Sequence, residues 1–438
     1  MRASHVAAAL AAPALLAACA AVAGIDPFTT SDAGHDAGHD VTIPHDARVD
    51  AGRDSGVDAG HDTGLDVTET VVVPYDSALP VGPIEGGVIS DTAAIHTFAI
   101  RRLYIGDTSA TAAFTASASA WQTIGYDLDG LDTTTANATN TCTPATPGAG
   151  VIDGLNGIDN AFGGVIVGRL AGDLKIAVDE GLHEADASTP VSQVLSEEIG
   201  QGQFTALLNT HGIQGGETMQ SAVGLTGGIF VGGAYGGSGP ATYPLGDSGT
   251  EFLIDASWPV NRSSLVPGGG VEDAAAVQFP SAYITNDVWV SGSLSSTPTL
   301  TIPLTILIDG HALTFTVHHA VITFVYSPTD AGQGLALHGV LAGVLDTTEL
   351  LEHLATTLGP VAGGQFCGVL RTTFEPDLLA AQDMILGPDD AISNKPGVAC
   401  NAISVGLGFD ADEIQIPTKV AADFDAGDAA PCPLDSGS

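Results

Sequence analysis

From residue 204 to residue 326 the chain reads as one short β-rich run after another. Each run is rich in Val, Ile, Leu, Thr and Phe, and each is closed by Gly, Pro, Asn or Asp. The clearest span 249–256, 282–291, 300–308 and 313–326. Asp309-Gly310 separates the last two, and Asp-Gly is a dipeptide that tight two-residue hairpins favour. Runs of this kind bury their apolar faces by packing sheet on sheet. The expected fold class is therefore β-rich α+β: an antiparallel β-sandwich or jelly-roll-like body with several packed helices, preceded by a disordered acidic tether.

Around this core the remaining elements are sparser. Residues 96–104 and 112–121 read as strands. Phe162, Ile166, Leu170, Leu174, Val178 and Leu182 recur every four residues, a helical stripe. Pro190, after Ser188 and Thr189, suits the first position of a helix running to Ile199. Asp346-Thr347-Thr348-Glu349 has the form of a capping box, opening a helix through Leu350, Leu351, Leu354 and Leu358. Glu375-Pro376 starts another through Met384, and 402–409 reads as a closing strand. In these terms the chain divides into a leader (1–18), a tether (19–70), a mixed strand and helix region with acidic loops (71–200), an antiparallel β region (201–345) and a C-terminal module (346–438).

The first residues carry Arg2 and then an apolar stretch at 6–18, too short to span a bilayer and typical of a secretory signal. It ends in Leu16-Ala17-Ala18-Cys19, which resembles the lipobox of bacterial lipoproteins. The resemblance implies removal of the leader and acylation of Cys19, which would hold the mature protein on a lipid bilayer. Ala20, rather than Asp, follows Cys19, which by the same resemblance implies outer-membrane or cell-surface delivery.

Next comes a four-residue beat, Asp-Ala-Gly-x, marked by Asp32, Asp36 and Asp40 and then by Asp46, Asp50, Asp54, Asp58, Asp62 and Asp66. Like charges four apart would repel on a helix, and Asp and Gly are poor helix formers. Residues 24–70 thus read as an extended, solvated linker. His35, His39, His45 and His61 lie among these Asp residues, but an unfolded segment preorganises no metal site. Anchor and tether together resemble those of myxobacterial-type surface lipoproteins.

The whole chain carries 51 acidic against 11 basic residues, a formal net charge of −40. Removing residues 1–70 takes away 11 acidic and 3 basic residues, so the body keeps 40 against 8. Phosphate neutralisation needs clustered Lys and Arg, so nucleic acid is excluded as a partner. Electrostatic docking on anionic lipid is excluded for the same reason.

Apart from Cys19 the cysteines are Cys142, Cys367, Cys400 and Cys432, an even number in an exported chain. Two disulfides are expected, with three possible connectivities. Cys367 and Cys400 flank a helix and a loop of one module, which favours pairing them and leaves Cys142 with Cys432.

The chemistry-bearing candidates are two acidic loops. Asp127, Asp129 and Asp132 fall within six residues around Gly130, while Asp153, Asn156 and Asp159 are interleaved with Gly154 and Gly157. Ca²⁺ seeks six to eight hard oxygens from such groups. The loops resemble the Asp/Gly-rich repeats of exported calcium-binding proteins, which implies Ca²⁺ as the cofactor, although the spacing is not that of an EF-hand. Turn formation alone uses the same residues.

Elsewhere the signals are weaker. Gly246-Asp247-Ser248-Gly249 matches four residues around a chymotrypsin-like nucleophile without the rest of that pattern. His318 and His319, adjacent on a strand, would face opposite sides. His311, His338 and His353 read as ordinary surface residues, and Glu197-Glu198 as a solvated helix face. Tyr235, Tyr243 and Trp258 suit either core packing or a sugar groove. The expected function is that of an exported, lipid-anchored cell-surface protein with a non-catalytic binding or structural role, stabilised by Ca²⁺. The alternative is an exported carboxylate-dependent hydrolase acting on polysaccharide or another extracellular polymer.

Overall fold

The computed structural model describes residues 77–82, 87–88, 95–137, 140–146, 151–168, 189–213, 221–235, 251–271, 275–292, 299–308, 311–329, 334–358, 366–424 and 431–432. Cys19, the 24–70 linker, Tyr243, the 246–249 string and Asp309-Gly310 lie outside the described residues.

Among the described residues, eight strands build the body. They are β1 (Ile95–Tyr104), β2 (Thr205–His211), β3 (Ala222–Gly232), β4 (Val277–Thr285), β5 (Val288–Val290), β6 (His311–Pro328), β7 (Leu335–Asp346) and β8 (Ala402–Ile414). Each pairs antiparallel with the next in sequence. β8 then pairs antiparallel with β1, and the path closes. The β-rich α+β body is thus an up-and-down barrel, in which the two packed walls belong to one sheet returning on itself.

Shorter strands lean on this ring. Ile302–Ile308 pairs with the first part of β6, in the register that a two-residue link at 309–310 demands. Gly87–Val88 runs parallel to the start of β3, and Val260–Asn261 meets its end. Val420–Ala421 pairs parallel with Val260–Asn261. The helices are α1 (Val191–Gly200) and α2 (Thr347–Leu358), with a further run through Phe366–Val369, a π turn at Leu370–Phe374 and Glu375–Ala380.

Aromatic rings fill the lumen. Trp289 of β5 stacks on Phe324 of β6 with centroids 4.7 Å apart, and Phe279 of β4 meets Trp289 edge-on at 5.6 Å. Phe98 lies on β1, which does not neighbour β6 in the ring, yet its ring sits 6.3 Å from that of Phe324. That contact crosses the barrel interior, as expected where eight strands leave room for little more than side chains.

The connections sort by length. Tight links at 286–287 and 329–334, and the 212–221 segment, join strands at one end of the barrel. The long ones, 105–204, 233–276, 291–310 and 347–401, all leave from the other. On the outer wall Tyr126 and Leu128, from the first long connection, pack with Met384, from the last, over Val321, Val340 and Val344.

Several sequence expectations are corrected. The run 282–291 is not one strand. Asn286 and Asp287 take left-handed backbone angles (φ 49° and 61°) and fold it into the β4–β5 hairpin. Both central residues of a type I′ turn have positive φ, which Asn and Asp tolerate. Residues 112–119 form turns with a single bridge from Thr108 to Ala116, and Ala120–Thr123 is a 3-10 turn. Residues 251–256 are irregular rather than the end of a strand. The stripe beginning at Phe162 is described only to residue 168, where Phe162–Val167 forms a π-helical turn. The helix at Glu375 ends at Ala380, short of Met384.

The disulfide connectivity also differs from the expected one. Cys142 joins Cys400, with Cα atoms 5.3 Å apart, and Cys367 joins Cys432 at 5.1 Å. Backbone pairing explains the choice. Thr143 N donates to Val398 O and Cys400 N donates to Thr143 O, laying the 142 and 400 segments side by side. Cys432 N donates to Ala355 O, which carries the tail to α2 instead.

Candidate metal centre

The acidic loops leave the end of β1 and return across the outer face of β8. Asn160 fixes them there. Its buried amide accepts from Gly163 N and Gly406 N and donates to Ile124 O and Gly406 O. Gly406 is required at this crossing, because a Cβ on it would fall 2.1 Å from Ile124 O. Ala161 N then donates to Ser404 Oγ of β8.

Held this way, carboxylates distant in sequence converge. One oxygen each of Asp127, Asp129 and Asp159 lies within 4.8 Å of the others. Backbone N–H groups shape the loop: Gly130 N donates to Asp127, Leu131 N to Asp129, and Leu128 N to Asp159. Asp153 accepts from Thr133 N and sits beside the trio. Asp132 remains at the exposed rim and acts on Asp153 only through its charge. Asn156 is exposed and adopts a left-handed conformation (φ 56°) within a turn. Four of the six expected residues therefore gather, and two serve the loop.

Two residues absent from the sequence expectation complete the group. Asn394 Nδ2 donates to Asp129 Oδ2 while its Oδ1 accepts from Cys142 N. Asp383 accepts from both the backbone and the hydroxyl of Ser404. A hollow of about 30 Å³ lies between Asp153 and Asp383, lined also by Thr133, Cys142, Gln382 and Asn394. Asn394 and Asp383 come from the β7–β8 connection, and the Cys142–Cys400 bridge binds that connection to the acidic loops.

The electrostatics are those of charge crowded out of water. Burial, then repulsion from Asp129, Asp153 and Asp383, pushes the Asp159 carboxyl well above its ordinary range. Burial is also the largest cause for Asp153 and Asp383, each pushed up to about 7, with other carboxylates adding to it. Asp127 and Asp129 are raised as well, mainly by burial. Three hard oxygens at this spacing fit the chemistry of a Ca²⁺ site, and the hollow lined by Asp153 and Asp383, which the trio does not line, is the size of one water or ion.

The other candidates resolve into packing. Trp258 is buried and meets Tyr235 edge-on, as core residues do. His338 pairs with Asp410, and His353 with Thr314 O. His318 and His319 do not face opposite ways as expected. His319 adopts φ 49°, a bulge shifts the β6–β7 register, and both rings reach Asp390. His318 also bonds Glu349 on α2. Burial alone would raise the Glu349 carboxyl, but hydrogen bonds from Thr316 and His318 outweigh it and hold it low. Glu198, expected in solvent, is buried.

No protein-family model, curated protein or solved structure matches this chain. Among the described residues no helix is long and apolar enough to cross a membrane.

Proposed function

We propose that the chain is an exported, lipid-anchored cell-surface protein with a non-catalytic binding role, its barrel stabilised by Ca²⁺ at the acidic centre. The convergence of Asp127, Asp129 and Asp159 within 4.8 Å, with Asp153 and Asp383 beside them, carries the reading. A divalent cation there would relieve repulsion among five carboxylates and tie together the two long connections that already share a disulfide. The anchor rests on Leu16-Ala17-Ala18-Cys19, and two disulfides suit an exported chain.

The hydrolase reading gains from carboxyls near 7, where a general acid or base works best. It loses on space, since the hollow between Asp153 and Asp383 has about 30 Å³, room for a water and not for a sugar ring. The binding reading is therefore preferred.

Thermal unfolding tests the cation. At 100 times its dissociation constant Ca²⁺ would add roughly 2.7 kcal/mol if it binds only the folded state. The melting temperature is expected to rise in millimolar Ca²⁺ and fall with chelator, and the double variant Asp129→Ala/Asp159→Ala to respond to neither. Fractionation tests the anchor: Cys19→Ala is expected to move the protein from membranes to the soluble fraction. Unchanged retention would overturn it.

A further inference from the structure

An apolar cavity of about 130 Å³ lies at the end of the barrel that carries the long connections. Lumen-facing residues of β1, β2 and β8, such as Ile100, Ala206 and Leu407, form one wall. Leu195 of α1 and Leu354 of α2 close the other. The pairing of Ile302–Ile308 with β6 extends the barrel wall past the ring and adds Phe315. Apolar cavities of roughly 150 Å³ take up benzene-sized molecules, so this one is large enough to hold a short hydrocarbon or a single ring.

One lining residue is out of character. Glu198 projects from α1 into this hydrocarbon wall and is 7% exposed. Its carboxylate takes no hydrogen bond from the described residues, and the charge acting on it is that of Glu197, of the same sign. Among the described lining residues, Thr305 is the other polar side chain. Its oxygens keep some contact with solvent at the edge of this apolar wall, and a ligand nitrogen can replace that water as the donor.

We propose that this cavity binds a small apolar amine, with its hydrocarbon body against the Leu, Ile and Phe side chains and its nitrogen donating to the Glu198 carboxylate. Charge decides against an anionic amphiphile: Glu198 and Glu197 stand at the site, and the whole chain carries −40. A neutral alcohol would satisfy one hydrogen bond without the charge assistance. The proposal deepens the binding reading by naming its ligand class, and depends on neither the anchor nor the cation.

The experiment uses the full chain and the single-ring apolar amine aniline as probe, followed by ligand-observed NMR and competed with octylamine, octanol and octanoate at neutral pH. Saturable probe binding is expected, with octylamine displacing it at roughly one-tenth the concentration octanoate needs, the ratio one charge-assisted hydrogen bond supplies. Glu198→Gln keeps probe binding and brings octylamine and octanol to similar potency, whereas Glu197→Gln leaves the preference intact. Ala206→Phe fills the cavity and removes probe binding, with circular dichroism confirming the fold. Glu198→Gln carries the test even if Ala206→Phe does not fold. No saturable binding to the wild-type chain, a preference for octanoate, or an unchanged preference in Glu198→Gln would each overturn the proposal. Failure here would leave membrane attachment and the Ca²⁺ response unaffected, so the two readings fail separately.

Discussion

The side-chain amide of Asn160 grips the backbone of Gly406 from both sides, accepting from its N–H at 3.0 Å and donating to its carbonyl at 3.2 Å. An edge-like contact of this sort lets a side chain stand in for a neighbouring strand. It seats the acidic loops against β8 at a point where no Cβ fits. Asn160→Ala would strand buried backbone groups of Gly163 and Gly406, at about 1–3 kcal/mol each. Gly406→Ala would force its Cβ into Ile124 O. Both variants are expected to lower stability in urea unfolding by about 3 kcal/mol or more, and to weaken any cation response along with it. Asn160→Ala unfolding like the wild type would show that the amide does not hold the loops.

Much of this barrel was legible in the sequence, and the illegible parts have physical reasons. Alternating Ile, Val, Thr and Phe marked β6 at 313–326, and 402–409 marked the start of β8, whereas β7, built of Leu, Ala, Val and Gly, was not marked as a strand. The β4–β5 turn was hidden because Asn286-Asp287 lacks the glycine that usually advertises a type I′ turn. Ring closure depends on β1 meeting β8, a pairing that sets His96 against Glu413 across 317 residues, and no local rule reaches that far. Glu198 could have been found: it falls on the stripe of Val191, Val194 and Leu195, at helical spacing and therefore on the buried face. Asp383 could not, since the residues around it carry no acidic repeat and no glycine turn. Asn156 shows the opposite failure, for an Asn between Leu155 and Gly157 is as well suited to a left-handed turn as to ligation.

The Cys142–Cys400 bridge closes a separation of 258 residues, whereas Cys367–Cys432 closes 65. Both are long loops, and removing either costs about 2–5 kcal/mol on general grounds. They differ in what they hold. Cys142 also presents its N–H to Asn394, whose amide reaches Asp129, so the first bridge supports the acidic centre directly. Cys142→Ser/Cys400→Ser is therefore expected to lower both stability and Ca²⁺ affinity. Cys367→Ser/Cys432→Ser, which loosens the tail from α2, is expected to lower stability alone. Non-reducing peptide mass mapping should return these two pairs, and recovery of a Cys367–Cys400 peptide would refute the connectivity.

The crowded carboxylates set the pH dependence of the cation-free protein. Asp153 and Asp383 titrate at about 7 when folded, and Asp159 well above its ordinary value, whereas an unfolded Asp titrates near pH 4. The folded state thus binds more protons than the unfolded state between those limits. Stability must then fall as pH rises from about 4 through 7, the reverse of a salt-bridged carboxylate. In chelator the melting temperature is expected to be higher at pH 5 than at pH 8. Ca²⁺ should reverse the order, because it needs the ionised form and competes with protons for the same oxygens. Asp159→Asn removes one repelled charge and keeps an acceptor for Leu128 N. It should raise the melting temperature in chelator at pH 8 and blunt the Ca²⁺ response. A wild-type protein more stable at pH 8 than at pH 5 in chelator would mean that these carboxylates are not forced together as described, and the centre would then have no excess charge for a cation to relieve.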